Sequence, residues 1–136
     1  MRKVRLALAA LLLYSGTALA ATWQVQPGES IQTAIDNAVP GDVVEVMRGR
    51  YQENLRIDKT LTLRGLHRPT ISGGQSGDTI RVTAEDVMIE GLIVTDSGDS
   101  LRDQNAGIYI RPGAHRAVVR DCDLAYNLFG LWIEKA

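Results

Sequence analysis

From Asp42 onward, hydrophobic residues fall at every second position in short runs. Val44 and Val46, Leu61 and Leu63, Ile80 and Val82, Val87 and Ile89, Leu92 and Val94, and Ile108 and Ile110 each alternate with other residues, which is the period of a strand with one buried face. Turn clusters separate the runs: Arg48-Gly49-Arg50, Ser72-Gly73-Gly74, Asp96-Ser97-Gly98-Asp99 and Arg111-Pro112-Gly113. Before Asp42 the period is different. Ile31, Ala34, Ile35 and Ala38 recur at helical spacing, Ser30 is a candidate N-cap, and Pro40-Gly41 supplies a stop. The pattern predicts one short helix and then many short strands with no helix between them. Alternating α/β folds do not fit that order.

The strands also repeat. Leu61-Thr62-Leu63-Arg64-Gly65 matches Val87-Met88-Ile89-Glu90-Gly91 at an offset of 26, and Ile89–Val94 matches Val119–Leu124 at an offset of 30. Asn105-Ala106-Gly107-Ile108-Tyr109-Ile110 resembles Asn127-Leu128-Phe129-Gly130-Leu131-Trp132-Ile133, with the glycines 23 apart. Repeats of this length with one apolar face suit a coil of three short strands stacked on its neighbour, a parallel β-helix, with loop insertions such as Ser97–Gln104 accounting for unequal offsets. A hairpin-rich sandwich is the alternative. Stacking predicts three inward columns: Leu63, Ile89 and Val119; Leu92 and Cys122; Val94 and Leu124. Cys122 then reads as a small core hydrophobe rather than a ligand or nucleophile, Met88 faces outward, and Asn105 and Asn127 take equivalent turns as stacked amides.

The N-terminus changes the picture of where this domain works. Arg2, Lys3 and Arg5 precede the apolar run Leu6–Leu13, and Ala18-Leu19-Ala20 is followed by Ala21. These are the parts of a secretory signal peptide, with cleavage expected between Ala20 and Ala21 and a retained anchor as the alternative. The apolar run is shorter than the roughly 20 residues needed to span a bilayer. Residues 1–20 are thus expected to be a leader, and residues 21–136 the coils of an exported, periplasmic β-helix domain with no transmembrane segment. Removing three basic residues and no acid from 15 basic and 16 acidic leaves 12 against 16. That balance gives no basic footprint for nucleic acid. Hydrophobic residues make up 45% of the chain and aromatic ones 5%, so the core must be aliphatic. A single cysteine excludes an internal disulfide framework.

A family resemblance becomes specific in the opening segment. Gln26-Pro27-Gly28-Glu29-Ser30-Ile31-Gln32-Thr33-Ala34-Ile35-Asp36 leads through Val39-Pro40-Gly41-Asp42 into Arg48-Gly49-Arg50-Tyr51-Gln52-Glu53. Ile57-Asp58-Lys59-Thr60-Leu61-Thr62-Leu63-Arg64-Gly65 and Thr70-Ile71-Ser72-Gly73-Gly74 follow. This order resembles the start of right-handed β-helix proteins of the carbohydrate-binding and sugar-hydrolase repeat type, a pectin-lyase-like solenoid. The Pro40-Gly41-Asp42 turn, the run Asp86-Val87-Met88-Ile89-Glu90-Gly91-Leu92, the Ser97-Gly98 turn and Ala106-Gly107-Ile108 resemble the NosD family within it. The resemblance implies a non-catalytic periplasmic accessory protein. Such a protein works with the ATPase and permease of an ABC transporter in maturing the copper-sulfur centre of nitrous oxide reductase, with copper as a cofactor of the family. Proteins of that family continue for several more coils, whereas this chain ends at Ala136 straight after Leu131-Trp132-Ile133 without a polar cap. A truncated or fragmentary N-terminal part is therefore expected.

Among the residues present, His67, His115, Met47, Met88 and Cys122 are the soft or borderline donors for copper. No H-x-H, M-x-x-M or C-x-x-C occurs, and the two histidines fall in turns that could reach one edge of the stack. No residue is assigned as a ligand or catalytic group. The alternative function is a polysaccharide-binding or polysaccharide-modifying β-helix (lyase, hydrolase or epimerase), and a purely structural or adhesive solenoid is a third. An enzyme would need acid–base groups or calcium-binding carboxylates converging on one outer face, for which Glu90, Arg120, Asp121 and Asp123 are the candidates. The repeat stacks Glu90 on Arg120, an opposite-charge pair, and an outward Asp121-x-Asp123 could hold calcium.

Overall fold

The computed structural model describes residues 5–6 and 19–135. The rest of the expected leader lies outside the described residues. The two-residue strand β1 (Arg5–Leu6) pairs antiparallel with β2 (Thr22–Val25). α1 (Ile31–Asn37) follows, and two side chains set its start. Ser30 Oγ accepts from the Thr33 N–H, and the Glu53 carboxylate accepts from the N–H groups of Ile31 and Gln32 at 2.7 and 3.1 Å. These satisfy donors that a helix N-terminus leaves open. The Ala38 N–H bonds back to the Ala34 and Ile35 carbonyls, which closes the helix before Pro40 is reached.

Four coils of three strands come next. The first is β3 (Val43–Val46), β4 (Arg50–Gln52) and β5 (Leu55–Ile57). The second is β6 (Thr62–Gly65), β7 (Thr70–Ser72) and β8 (Ile80–Val82). The third is β9 (Met88–Glu90), β10 (Ile93–Thr95) and β11 (Ala106–Ile110), and the fourth β12 (Val118–Arg120), β13 (Asp123–Ala125) and β14 (Phe129–Ile133). Leading strands stack in the order β1-β2-β3-β6-β9-β12, second strands as β4-β7-β10-β13, and third strands as β5-β8-β11-β14. Every pairing from β2 onward is parallel. With β2 and α1 as a preceding turn, the fold is a parallel β-solenoid, not a sandwich. The apolar side of α1, Ile31, Ala34 and Ile35, is buried against β2, β3 and β5 and closes the N-terminal end of the core.

The register follows the repeat offsets. Leu63 pairs with Ile89 and Ile89 with Val119, while Val94 pairs with Leu124. Leu63, Ile89, Leu92 and Val94 are at most 1% exposed, whereas Val119, Cys122 and Leu124 in the fourth coil are half-buried against them. Each fully buried aliphatic side chain contributes roughly 1.5–3 kcal/mol, so the columns dominate stability. At the turn leaving the first sheet the coils come close. Gly91 has φ of +75°, and a Cβ there would lie 2.7 Å from the Gly65 carbonyl oxygen, so no other residue fits. In the fourth coil Asp121 takes the place of Gly91, with φ of +52°.

The asparagines correct the expectation of equivalent turns. Pairing of Ala106 with Phe129 leaves Asn127 one residue out of step with Asn105. The reason is a shorter turn before β14. Asn127 instead lies over Ser97, its Oδ1 accepting from the Ser97 N–H at 3.0 Å and its Nδ2 donating to the Val94 carbonyl. Asn105 closes its own loop by accepting from the Ser100 N–H.

Unequal burial along one column makes a test. Ile89→Ala should cost about 2–5 kcal/mol by the loss of a fully packed side chain, read as a lower urea midpoint. Val119→Ala in the same column should cost about 1 kcal/mol. Equal losses would mean that the column is not packed as described.

Candidate interaction surface

Because the inward positions form the core, function falls to the outward ones and the turns. On the first sheet, Gln24, Glu45, Arg64, Glu90 and Arg120 occupy one register line. Arg64 Nε and Arg120 Nε each donate to Glu90 at 2.8 Å, Arg64 lies 3.8 Å from the Glu45 carboxylate, and Gln24 Nε2 donates to Glu45. Hydrogen bonds from Arg64 and then Arg120 hold the Glu90 carboxyl below its ordinary value. A carboxylate shared by two guanidiniums is a poor general base, because both pairs favour the ionised form. The Glu90–Arg120 stack is as expected, and Arg64 extends it into a ladder of alternating sign.

The Asp121-x-Asp123 candidate has a different partner from calcium. Arg68 reaches from the second coil to the fourth, donating from Nη2 to Asp123 Oδ2 at 2.7 Å and from Nη1 to the Asp121 carbonyl at 3.2 Å. At the opposite end of the leading strands, Arg116 grips both Asp86 oxygens and Glu85.

The soft donors are dispersed. His67 lies in the turn after β6 and His115 in the turn before β12, both exposed, so they flank opposite ends of the first sheet and do not share an edge. The reason is that one turn leaves the leading strand and the other enters it. Met47 is half-buried in the turn after β3, and Met88 is half-buried in β9. Cys122 points inward, its Sγ 3.3 Å from the Arg120 carbonyl oxygen. Among the described residues, no three His, Cys, Asp or Glu side chains come together as a metal site.

The third sheet presents a separate outward line: Arg56, Arg81, Tyr109 and Trp132. The Arg81 guanidinium lies 5.0 Å from the centre of the Tyr109 ring, and the Tyr109 hydroxyl bonds to Glu134. Phe129 and Trp132 have ring centres 4.7 Å apart. Beside β5 and β8 runs a groove of about 380 Å³ lined by Asn54, Arg56, Ser76, Asp78, Arg81 and Asp103, among others. Its walls are largely committed. Asn54 donates to the Gly73, Ser76 and Asp78 carbonyls, and Asp78 accepts from the Ala106 N–H and from Arg81. Arg56 is exposed at its rim, where its guanidinium can meet a carboxylate or carbonyl of a bound molecule. The repeat offset of 26 already placed Arg64 over Glu90. The repeat with glycines 23 apart likewise placed Tyr109 over Trp132, whereas the Arg68 contact carries no sequence signal, because turn lengths decide it.

Two measurements check this surface. Glu90→Gln should lower stability by at most about 1 kcal/mol, the scale of exposed ion pairs. Since folding lowers the Glu90 pKa, the carboxylate contributes above its unfolded value near 4.3 and the contribution is lost as pH falls through the folded value. The wild-type and variant denaturation curves should therefore converge on acidification. A gap that persists at pH 2 would show that the difference is not electrostatic. Burial raises the Cys122 thiol above its ordinary value, against smaller lowering effects of the backbone at Leu92 and Gly91. Maleimide should label it more slowly in the folded chain than in urea, and equal rates would place it outside the column.

No family model matches the chain, and no solved structure matches it. Two curated proteins are similar. One, the "Probable ABC transporter binding protein NosD" of Pseudomonas aeruginosa, is 33% identical over 86 residues, covering 63% of this chain and 20% of the relative. The protein of the same name from Stutzerimonas stutzeri is 27% identical over 128 residues, covering 94% of this chain and 28% of the relative. The chain thus spans less than a third of the length of the curated relatives it matches. It is a parallel β-solenoid similar in sequence to NosD proteins.

Proposed function

We propose that this chain forms coils of a periplasmic, non-catalytic accessory protein that associates with an ABC transporter and serves maturation of the copper-sulfur centre of nitrous oxide reductase. The similarity to two proteins named as NosD, extending over most of the chain in one case, is the observation that carries this reading. The residues support it in a second way. Two of the three carboxylates that the sequence put forward are engaged, Glu90 by Arg64 and Arg120 and Asp123 by Arg68. What the solenoid offers instead is a long outer surface suited to protein contacts. No helix among the described residues is long and apolar enough to cross a membrane, in keeping with an exported protein held at the membrane by partners.

Copper is part of this reading through the reductase rather than through a site in these coils. The dispersed His67, His115, Met47, Met88 and Cys122 do not make a donor set for it. A polysaccharide-binding role is the second reading, and the groove with Arg56 at its rim favours it.

The test is a deletion strain grown under low oxygen, with the purified reductase examined spectroscopically. Loss of the gene should leave an exported reductase without the signature of its copper-sulfur centre, and the full-length gene should restore it. A fully loaded, active reductase from the deletion strain would overturn the maturation role and bring the polysaccharide reading forward.

A further inference from the structure

Asp42 is a buried carboxylate at the N-terminal end of the solenoid. It is 2% exposed, yet it accepts three hydrogen bonds: Oδ1 from the Ala21 N–H at 2.9 Å, and Oδ2 from Trp23 Nε1 at 3.0 Å and from the Val39 N–H at 2.9 Å. Ala21 is held on its other side too, its carbonyl accepting from the Val43 N–H at 2.9 Å. Just before the Ala20–Ala21 bond the chain is open to solvent: Leu19 is 83% exposed and Ala20 is exposed. The exposed Leu19–Ala20 segment thus meets the anchored Ala21 at the bond where the A-x-A pattern puts leader cleavage.

We propose that Asp42 is the receptor for the α-ammonium of the processed chain. The inference depends on cleavage between Ala20 and Ala21 and not on the reductase role. Hydrolysis of that amide by a leader peptidase consumes one water. The acyl carbon of Ala20 gains the hydroxyl and becomes a carboxylate, and the Ala21 nitrogen gains the proton from water and the one released by the new acid. A neutral N–H donor 2.9 Å from Asp42 Oδ1 is replaced by a cation against a buried carboxylate, which adds the attraction of opposite charges to a bond whose acceptor is already ionised. Processing then tightens the end of the stack, where β2, the 38–42 turn and β3 meet. Removal of residues 1–20 also takes β1 away from β2, so the new ion pair secures a strand that loses a neighbour.

The charges facing Asp42 from the packed elements are few. Lys59, whose Nζ donates to the Asp36 and Ala38 carbonyls, acts on it from the β5–β6 turn. Burial pushes the Asp42 carboxyl up, but the N–H groups of Ala21, Val39 and Trp23 together with Lys59 hold it below the ordinary value. A partnered α-ammonium titrates above its usual value of about 8, so its contribution is full below that and lost as pH rises through the folded value. The Asp42 contribution is present above about 3.9 and lost as pH falls through its lowered value. The pair acts between these limits.

The test uses the exported product of the full chain. Mass spectrometry should find a mature N-terminus at Ala21, and a start elsewhere would overturn the proposal. An acylating reagent at pH 7 should modify the Ala21 amine at least tenfold more slowly in the folded protein than in urea, and equal rates would overturn it. Burial alone could also slow acylation, so the titration of the Ala21 nitrogen, followed by 15N NMR, separates the two. The ion pair places its pKa above the ordinary α-amine value, and a value at or below it rejects the pair. Asp42→Asn should bring the amine's reactivity toward the unfolded rate. If that variant does not fold, the wild-type titration decides alone.

Discussion

Parallel stacking with one residue over another is the constraint on which the rest of this structure depends. Strands spaced by about 4.8 Å place each side chain directly above its counterpart in the coil before, with no freedom to slip by one residue without turning the core outward. Inward lines must therefore be uniformly apolar, and Leu63, Ile89 and Val119 are. Outward lines face the opposite demand, because like charges at that spacing repel. The chain answers with alternation: Glu45, Arg64, Glu90 and Arg120 form a self-neutralising ladder. Where the outward line is not alternating, as in Arg56 and Arg81, Asp78 reaches in from the neighbouring turn to take the second guanidinium.

Since the strands are fixed by register, variation is confined to the turns. The turn between the second and third strands is two residues in the first coil (53–54) and ten in the third (96–105). The added loop stands beside β5, β8 and β11, so the groove and the buried Tyr109 exist on that side only. The turn leaving the first sheet does the reverse. It is pressed so closely that Gly91 cannot be replaced, and Arg68 spans it to fasten the second coil to the fourth. One edge of the stack is tied and the other elaborated, and the elaborated one has room for a bound partner.

This division also explains what could be read from the sequence. The columns were legible because a repeat offset and a strand register are the same quantity in a solenoid. Offsets of 26 and 30 gave the Leu63–Ile89–Val119 line, the outward Glu90–Arg120 pair and the inward position of Cys122. The helix was legible from its own spacing and from Ser30. Turn geometry was not. Assigning His67 and His115 to one edge required knowing that one turn leaves the leading strand and the other enters it. Asn105 and Asn127 looked equivalent because both precede a glycine, but the turn before β14 is three residues (126–128) against ten before β11, and the second asparagine falls on Ser97. Arg68 and Asp123 lie 55 residues apart in turns of unlike length, and no periodicity connects them. Asp42 read as part of a Pro-Gly-Asp turn, yet its three donors arrive from both sides of α1.

The ends of a solenoid pose a problem that its middle does not, since the last column on either side has no further coil to cover it. At the N-terminal end the solution is layered. Ile31, Ala34 and Ile35 of α1 cover the apolar interior, Glu53 from the first coil holds the helix start, and Asp42 ties β2 to the turn that follows the helix. Each tie runs from a neighbouring segment rather than within the helix, which at seven residues is too short to be stable alone. The cap therefore forms together with the first coil or not at all.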